Sequence, residues 1–294
     1  MKRSGPRLLG YLAACWGSAA CGPHVGGLVV ERWSALAEGA WSLEPGTEDV
    51  GWCKSIVLDE EIYISALRPI ASPGTHHISL NLASPDDSDC TSGRLGPETV
   101  YAAGPGAGEL RMPPQVAMRL ARGQALHLNL HVYNPTAAPL DGMSGIEIVR
   151  AKNETVKHEA GFVLAGPESV ILPPAQRTTI TSTCRFAADQ TAFALLPLMH
   201  EHGVSFKTTV THGGEPTVLY DAAFRFEEQS EVPIGMIAVR SGDSITTECT
   251  FDNAAYHPVK PGHEGAEICF SALLRYPSGA TVDCAEPGDE AEAH

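Results

Sequence analysis

The stretch PLMHEHGVSF, residues 197–206, sets His200 and His202 one residue apart in an otherwise apolar run. Paired imidazoles hold zinc, copper and other borderline metals, so the pair raises the question of a metal centre. A helical zinc-protease motif, H-E-x-x-H, would need a histidine at 204, where the chain has Val204; that reading fails. The residues that follow are rich in strand formers. If the segment is extended, the two-residue period puts both rings on one face, about 6.6 Å apart along the strand. Two ligands do not complete a site, and further donors must come from elsewhere in the chain.

QALHLNLHVYNP alternates: Leu126, Leu128, Leu130 and Val132 on one face, His127, Asn129, His131 and Tyr133 on the other. This predicts a strand that packs one face and leaves the other free for chemistry. SPGTHHISLNLA supplies His76 and His77. Adjacent residues of a regular strand point to opposite faces, so both reach one ion only if the chain bends, and Pro73-Gly74 makes a bend there plausible. Three imidazoles from two distant strands would suit copper, zinc or another borderline metal, and residue types alone do not choose among them.

The elements that must position these histidines read as strands. Over 294 residues, 29 glycines and 22 prolines punctuate short apolar runs, which predicts an all-β chain, and the length favours two domains, at 46–152 and 153–285. Residues 22–45 read as a tether or an edge segment, and 286–294 as a disordered acidic tail. The first 21 residues have a basic start, an apolar stretch and small residues before Cys15 and Cys21, the pattern of an export signal or a lipoprotein leader in which one of those cysteines becomes lipidated. The expected location is periplasmic or extracellular, with a lipid anchor as the only membrane attachment. Six cysteines remain beyond the leader, an even number, which in an exported chain predicts disulfides without fixing their connectivity. The formal charge of −15 disfavours nucleic acid and anionic lipid as partners and is read as solubility.

In order along about residues 50 to 280, five segments resemble the copper type II, ascorbate-dependent monooxygenases, the family of dopamine β-hydroxylase and peptidylglycine α-hydroxylating monooxygenase. THHISL resembles the family's histidine pair, and LHLNLHVYNP its L-x-L-x-H-Y-x-N-P strand. HEAGFVLAGPESVILPPAQRTTITSTC is similar to the run that opens the second domain, LMHEHG to H-T-H, and AEICFSALLRYP to E-M-C followed by Y-Y-P. The resemblance implies two consecutive antiparallel β-sandwich, jelly-roll-like domains, each with one copper, facing across a wet cleft. His76, His77 and His131 would hold the first, electron-supplying copper; His200 and His202 would be ligands of the second, where oxygen binds and a substrate C–H bond is attacked, with ascorbate or a similar donor as reductant. It also implies the disulfides Cys53–Cys90, Cys184–Cys284 and Cys249–Cys269.

The chain departs from the family pattern at three positions. The methionine ligand of the second copper is Ile268, the arginine two residues before H-x-H is Leu198, and the tyrosine four residues after the methionine is Ala272. These departures argue against peptide amidation and leave the substrate, a small molecule, open. Met199 would point away from His200 on a strand, leaving His212, His263 or Glu201 as other candidate donors. The implied activity is hydroxylation of a C–H bond with oxygen; the alternative is a non-catalytic exported copper-binding or structural module.

Overall fold

The computed structural model describes residues 32–84, 90, 99–104, 106–261, 266–279 and 282–284. The expected leader with Cys15 and Cys21, the start of the 22–45 segment, His263 and the acidic tail lie outside the described residues. The described chain is all β, with antiparallel sheets in a sandwich-like arrangement. The N-terminal half contains β1 (Trp33–Leu43), β2 (Glu48–Val57), β3 (Ile62–Ala71), β4 (Thr75–Ala83), β5 (Thr99–Ala103), β6 (Leu110–Arg111), β7 (Val116–Leu120), β8 (Ala125–Tyr133) and β9 (Leu140–Arg150). The C-terminal half contains β10 (His158–Ala165), β11 (Gln176–Phe186), β12 (Gln190–Leu198), β13 (Gly203–His212), β14 (Glu215–Ala223), β15 (Val232–Val239), β16 (Ser244–Asn253), β17 (Phe270–Tyr276) and β18 (Val282–Cys284).

Alternation decides which face each strand buries. In β16, Ile245, Thr247, Cys249 and Phe251 turn inward while their neighbours stay more exposed, the half-buried pattern of an antiparallel sheet. In β8 the apolar face packs as expected, with Leu126, Leu128, Leu130 and Val132 in the core. Its polar face is not free along its length. His127 and Asn129 are buried too, and Asn129 Oδ1 accepts a hydrogen bond from Asn81 Nδ2 at 3.1 Å, while Asn81 Oδ1 accepts one from Thr99 Oγ1 at 2.9 Å. Only the last positions of that face, His131 and Tyr133, remain partly open.

A four-stranded sheet, ordered β2, β8, β4, β5, covers the N-terminal half, and a five-stranded sheet, ordered β14, β13, β16, β11, β18, covers the C-terminal half. Both pack against one continuous nine-stranded sheet ordered β1, β9, β3, β7, β10, β17, β12, β15, with β6 beside β3. The two sandwiches are therefore not separate beads: parallel pairing of β7 with β10, His158 opposite Val116 and Ala160 opposite Met118, fuses them edge to edge. The described residues form one compact unit. Residues 33–43 of the expected tether are strand β1 at the edge of the long sheet. They pair because Ala37 and Trp41 bury their side chains on the core side, and the Trp41 indole N–H donates to Ser144 Oγ at 2.8 Å.

Disulfides join Cys53 to Cys90, Cys184 to Cys284 and Cys249 to Cys269. Cys184 and Cys284 are direct cross-strand partners of β11 and β18. Three such bonds indicate an oxidising compartment. Among the described residues, no helix is long and apolar enough to cross a membrane.

Candidate metal centre

His200 and His202 lie in the turn between β12 and β13, not in a strand. The Gly203 N–H donates to the His200 carbonyl at 3.1 Å, so the two rings are aimed by a tight turn and the expected spacing along a strand does not apply. Glycine is required at its end: a Cβ on Gly203 would meet Met199 Cε and the Phe224 ring at 2.8 Å. The turn is clasped by Glu267, whose side chain is fully buried. Its carboxylate accepts hydrogen bonds from the His200 backbone N–H at 2.9 Å, the His202 backbone N–H at 2.8 Å and His202 Nδ1 at 2.9 Å. The Ala266 carbonyl accepts from His200 Nδ1 at 2.6 Å. A carbonyl can only accept, so His200 carries its proton on Nδ1; the acceptor carboxylate does the same for His202. Both rings then offer the Nε2 lone pair, the arrangement by which metal-ligating histidines are oriented.

The N-terminal histidines are placed by irregularities in two neighbouring strands. On β4 the register slips between Thr75 and His77, so that His76 and His77 together oppose His131 of β8. On β2, the other neighbour of β8, the register slips between Asp49 and Trp52. Bulges of this kind re-aim side chains. The His76 ring stands edge-on to His131 at 5.2 Å and to Tyr133 at 5.5 Å, and Glu48 meets His131 Nε2 in a short contact. Donor atoms of Glu48, His76 and His131 lie within 4.8 Å of one another. His77 is not in that group. It is buried, its Nε2 has no hydrogen-bond partner among the described residues, and its ring faces Phe226 at 5.7 Å. Burial, with smaller contributions from His131 and His200, holds its imidazole down to a pKa of about 4, so it is neutral at physiological pH.

Phe226 links the two regions. Its ring also stands edge-on to His200, at 6.1 Å and 90°, so it lies against a histidine of each half. The segment that carries it is tied to β5: the Gly104 N–H donates to the Gln229 carbonyl at 2.6 Å, Ala103 bridges Ser230, and the Ala102 N–H donates to Glu231 Oε1 at 3.2 Å. Ile268, Leu198 and Ala272, the three positions that depart from the family pattern, meet in one apolar cluster with Ala102 and Leu196. Leu198 and Ala272 are buried there. Ile268, Leu198 and Ala272 are thus neighbours in space, and what they form with Ala102 is packing between the halves.

The other candidate donors are placed elsewhere. Met199 is fully buried beside Phe206, Phe224 and the Cys249–Cys269 bond. His212 sits at the far end of β13, where its Nδ1 pairs with Asp243 at 2.8 Å. Glu201 is exposed. A further grouping of Cys53, Cys90 and His127 has both sulfurs engaged in a disulfide. Sequence reasoning missed Glu48 and Phe226, neither of which stands in a motif, and missed the part played by Glu267, whose signal was a carboxylate inside a triplet that the fold buries. No family model matches the chain, and a search of curated proteins finds no match either.

Proposed function

We propose that the protein is an exported copper-dependent monooxygenase homologue that hydroxylates a C–H bond of a small molecule with dioxygen and ascorbate or a similar one-electron donor. The observation that carries the reading is the clasped turn: Glu267 and the Ala266 carbonyl occupy both Nδ1 atoms and leave both Nε2 atoms of His200 and His202 for an ion. A buried carboxylate held by three hydrogen bonds has a steep desolvation cost to offset, and orienting a ligand pair is the role that accounts for it. When bound, copper would supply one-electron redox chemistry at these rings and at His76 and His131. In the overall reaction one oxygen atom enters the C–H bond and the other leaves as water, the donor providing two electrons and two protons. The chain's own contribution is to fix the tautomers, to hold His77 neutral and to seat Phe226 between the halves. Export through the leader, with lipid attachment at Cys15 or Cys21 to a bacterial membrane, belongs to the same proposal.

A non-catalytic copper-binding module is the second reading, favoured by the apolar packing of Ile268 with Leu198 and Ala272. Isoleucine offers no lone pair where a thioether would favour Cu(I). Cu(I) stoichiometry measured together with ascorbate-dependent oxygen consumption separates the two. Copper binding at His200 and His202 with oxygen uptake that His202→Ala abolishes supports the enzyme; binding without uptake supports the module; no copper at this turn removes the enzyme and leaves a module with copper at His76 and His131 at most.

A further inference from the structure

We propose that the first centre is a two-histidine, one-carboxylate site, with Glu48, His76 and His131 as its protein donors and a borderline divalent cation, Zn(II) or Cu(II), as its occupant. This alters the ligand set of the first centre in the reading above, and rests on that reading only for the presence of a metal in the N-terminal half.

The three donors come from adjacent strands. In the four-stranded sheet the order is β2, β8, β4, and the middle strand contributes His131. Both flanking strands lose regular register close to His131, β4 between Thr75 and His77 and β2 between Asp49 and Trp52. The bulge on β4 re-aims His76, whereas Glu48 needs none: it pairs in register with Tyr133 and so shares the face of β8 that carries His131. Nitrogen and oxygen donors bind zinc at about 2.0–2.2 Å, so any two ligands of one ion lie within about 4.4 Å of each other. A set already within 4.8 Å closes around an ion by small side-chain shifts alone. Glu48 and His131 are already in contact, and an ion would take the place of the proton between them, as metals do when they bind imidazole and carboxylate groups.

An ion pair between Glu48 and His131 would need no third group, yet His76 brings its donor atom into the same cluster. His77 stays outside it. It also opposes His131 across the bulge, but its ring leans on Phe226, in the direction of the other half, and is more deeply buried than His76 or His131. Two imidazoles and a carboxylate are a harder donor set than three imidazoles, and they suit divalent cations better than Cu(I).

The test uses the full chain carrying His200→Ala and His202→Ala, so that only the first centre remains. With one equivalent of Cu(II), electron paramagnetic resonance should show superhyperfine coupling to two nitrogens, both lost with His76→Ala and His131→Ala combined. In Zn(II) titration calorimetry, Glu48→Gln should weaken binding by at least about tenfold, while His77→Gln leaves it within about threefold. A three-nitrogen spectrum that loses one nitrogen in His77→Gln, with Glu48→Gln binding unchanged, would overturn the proposal and leave Glu48 as an ion-pair partner. Absence of Zn(II) and Cu(II) binding would overturn it as well. A changed ligand set leaves the monooxygenase reading standing, whereas absence of metal would also remove the copper that it places at His76 and His131; oxygen consumption of the unaltered chain tests the second centre separately.

Discussion

Glu267 does more for the histidine turn than either histidine does for itself. Its two oxygens accept from the His200 and His202 backbone N–H groups and from His202 Nδ1, so one buried side chain sets the turn and one ring's tautomer together. Glu267→Gln keeps the volume but replaces an acceptor oxygen by a donor NH2, which then faces an N–H. The expected cost is about 1–3 kcal/mol of stability and about a 10- to 100-fold loss of Cu(I) affinity at His200 and His202, read by urea denaturation and by competition with a Cu(I) chelator. Equal affinity in variant and parent would show that the clasp is only structural. Ile268→Met tests the neighbouring position. The residues are close in volume and methionine is flexible, so the swap should cost less than about 1.5 kcal/mol. Cu(I) affinity at the same turn should rise; an unchanged affinity would mean that residue 268 serves only the apolar cluster with Leu198 and Ala272.

At the level of elements, the strands with clean alternation were legible and the irregular places were not. LHLNLHVY predicts a strand, and β8 is there. The paired histidines require a bend if both are to reach one ion; the register slip between Thr75 and His77 bends the strand there, but only His76 joins the donor cluster. Periodicity cannot find the rest. WSALAEGAWSL carries alanine, glycine and glutamate along with its two tryptophans, and becomes β1 because the core covers Ala37 and Trp41. The H-x-H turn closes onto Met199 and Phe224 at Gly203, where any side chain would force those two aside. Glu48 and Phe226 reach their places by tertiary pairing, which leaves no local trace in sequence. Gly203→Ala follows from this. Its methyl group would press on Met199 and Phe224, costing about 1–3 kcal/mol and displacing the turn. Affinity for copper at His200 and His202 should fall although no ligand has changed, whereas the same substitution at Gly213, with open space around it but φ of +56°, should cost only backbone strain and leave copper binding intact.

The whole molecule depends on how its halves are joined, because a His77 and a His200 from different sandwiches share contact with one phenylalanine. The join includes the parallel β7–β10 seam, the apolar cluster around Leu198, and the segment after Phe226 that bonds to β5. The last contains a titratable group. Glu231 retains some solvent contact as a residue and lines a cleft of about 480 Å³ with Arg111, Phe193 and Pro233, but its carboxyl group is packed away from water. Desolvation pushes its pKa up from 4.5 to about 8, against the opposing effect of the Ala102 N–H. The same burial, and then the proximity of Glu231, drives the Tyr101 hydroxyl well above its ordinary range. A carboxyl group whose pKa is raised by folding holds a proton that the unfolded chain has already released. Its contribution to stability is therefore complete below about pH 4.5 and is lost progressively until about pH 8, above which both states are ionised. Stability should decline across that window with a slope approaching one proton per molecule, measured as the urea midpoint at fixed ionic strength. Glutamine at this position stays neutral at every pH, so Glu231→Gln removes the pH dependence: the variant should match the protonated parent near pH 4 and exceed it at pH 9, because ionisation of the parent loosens the segment that seats Phe226. Parallel profiles for the two proteins would mean that Glu231 is ionised throughout and that the join between the sandwiches does not sense pH through this residue.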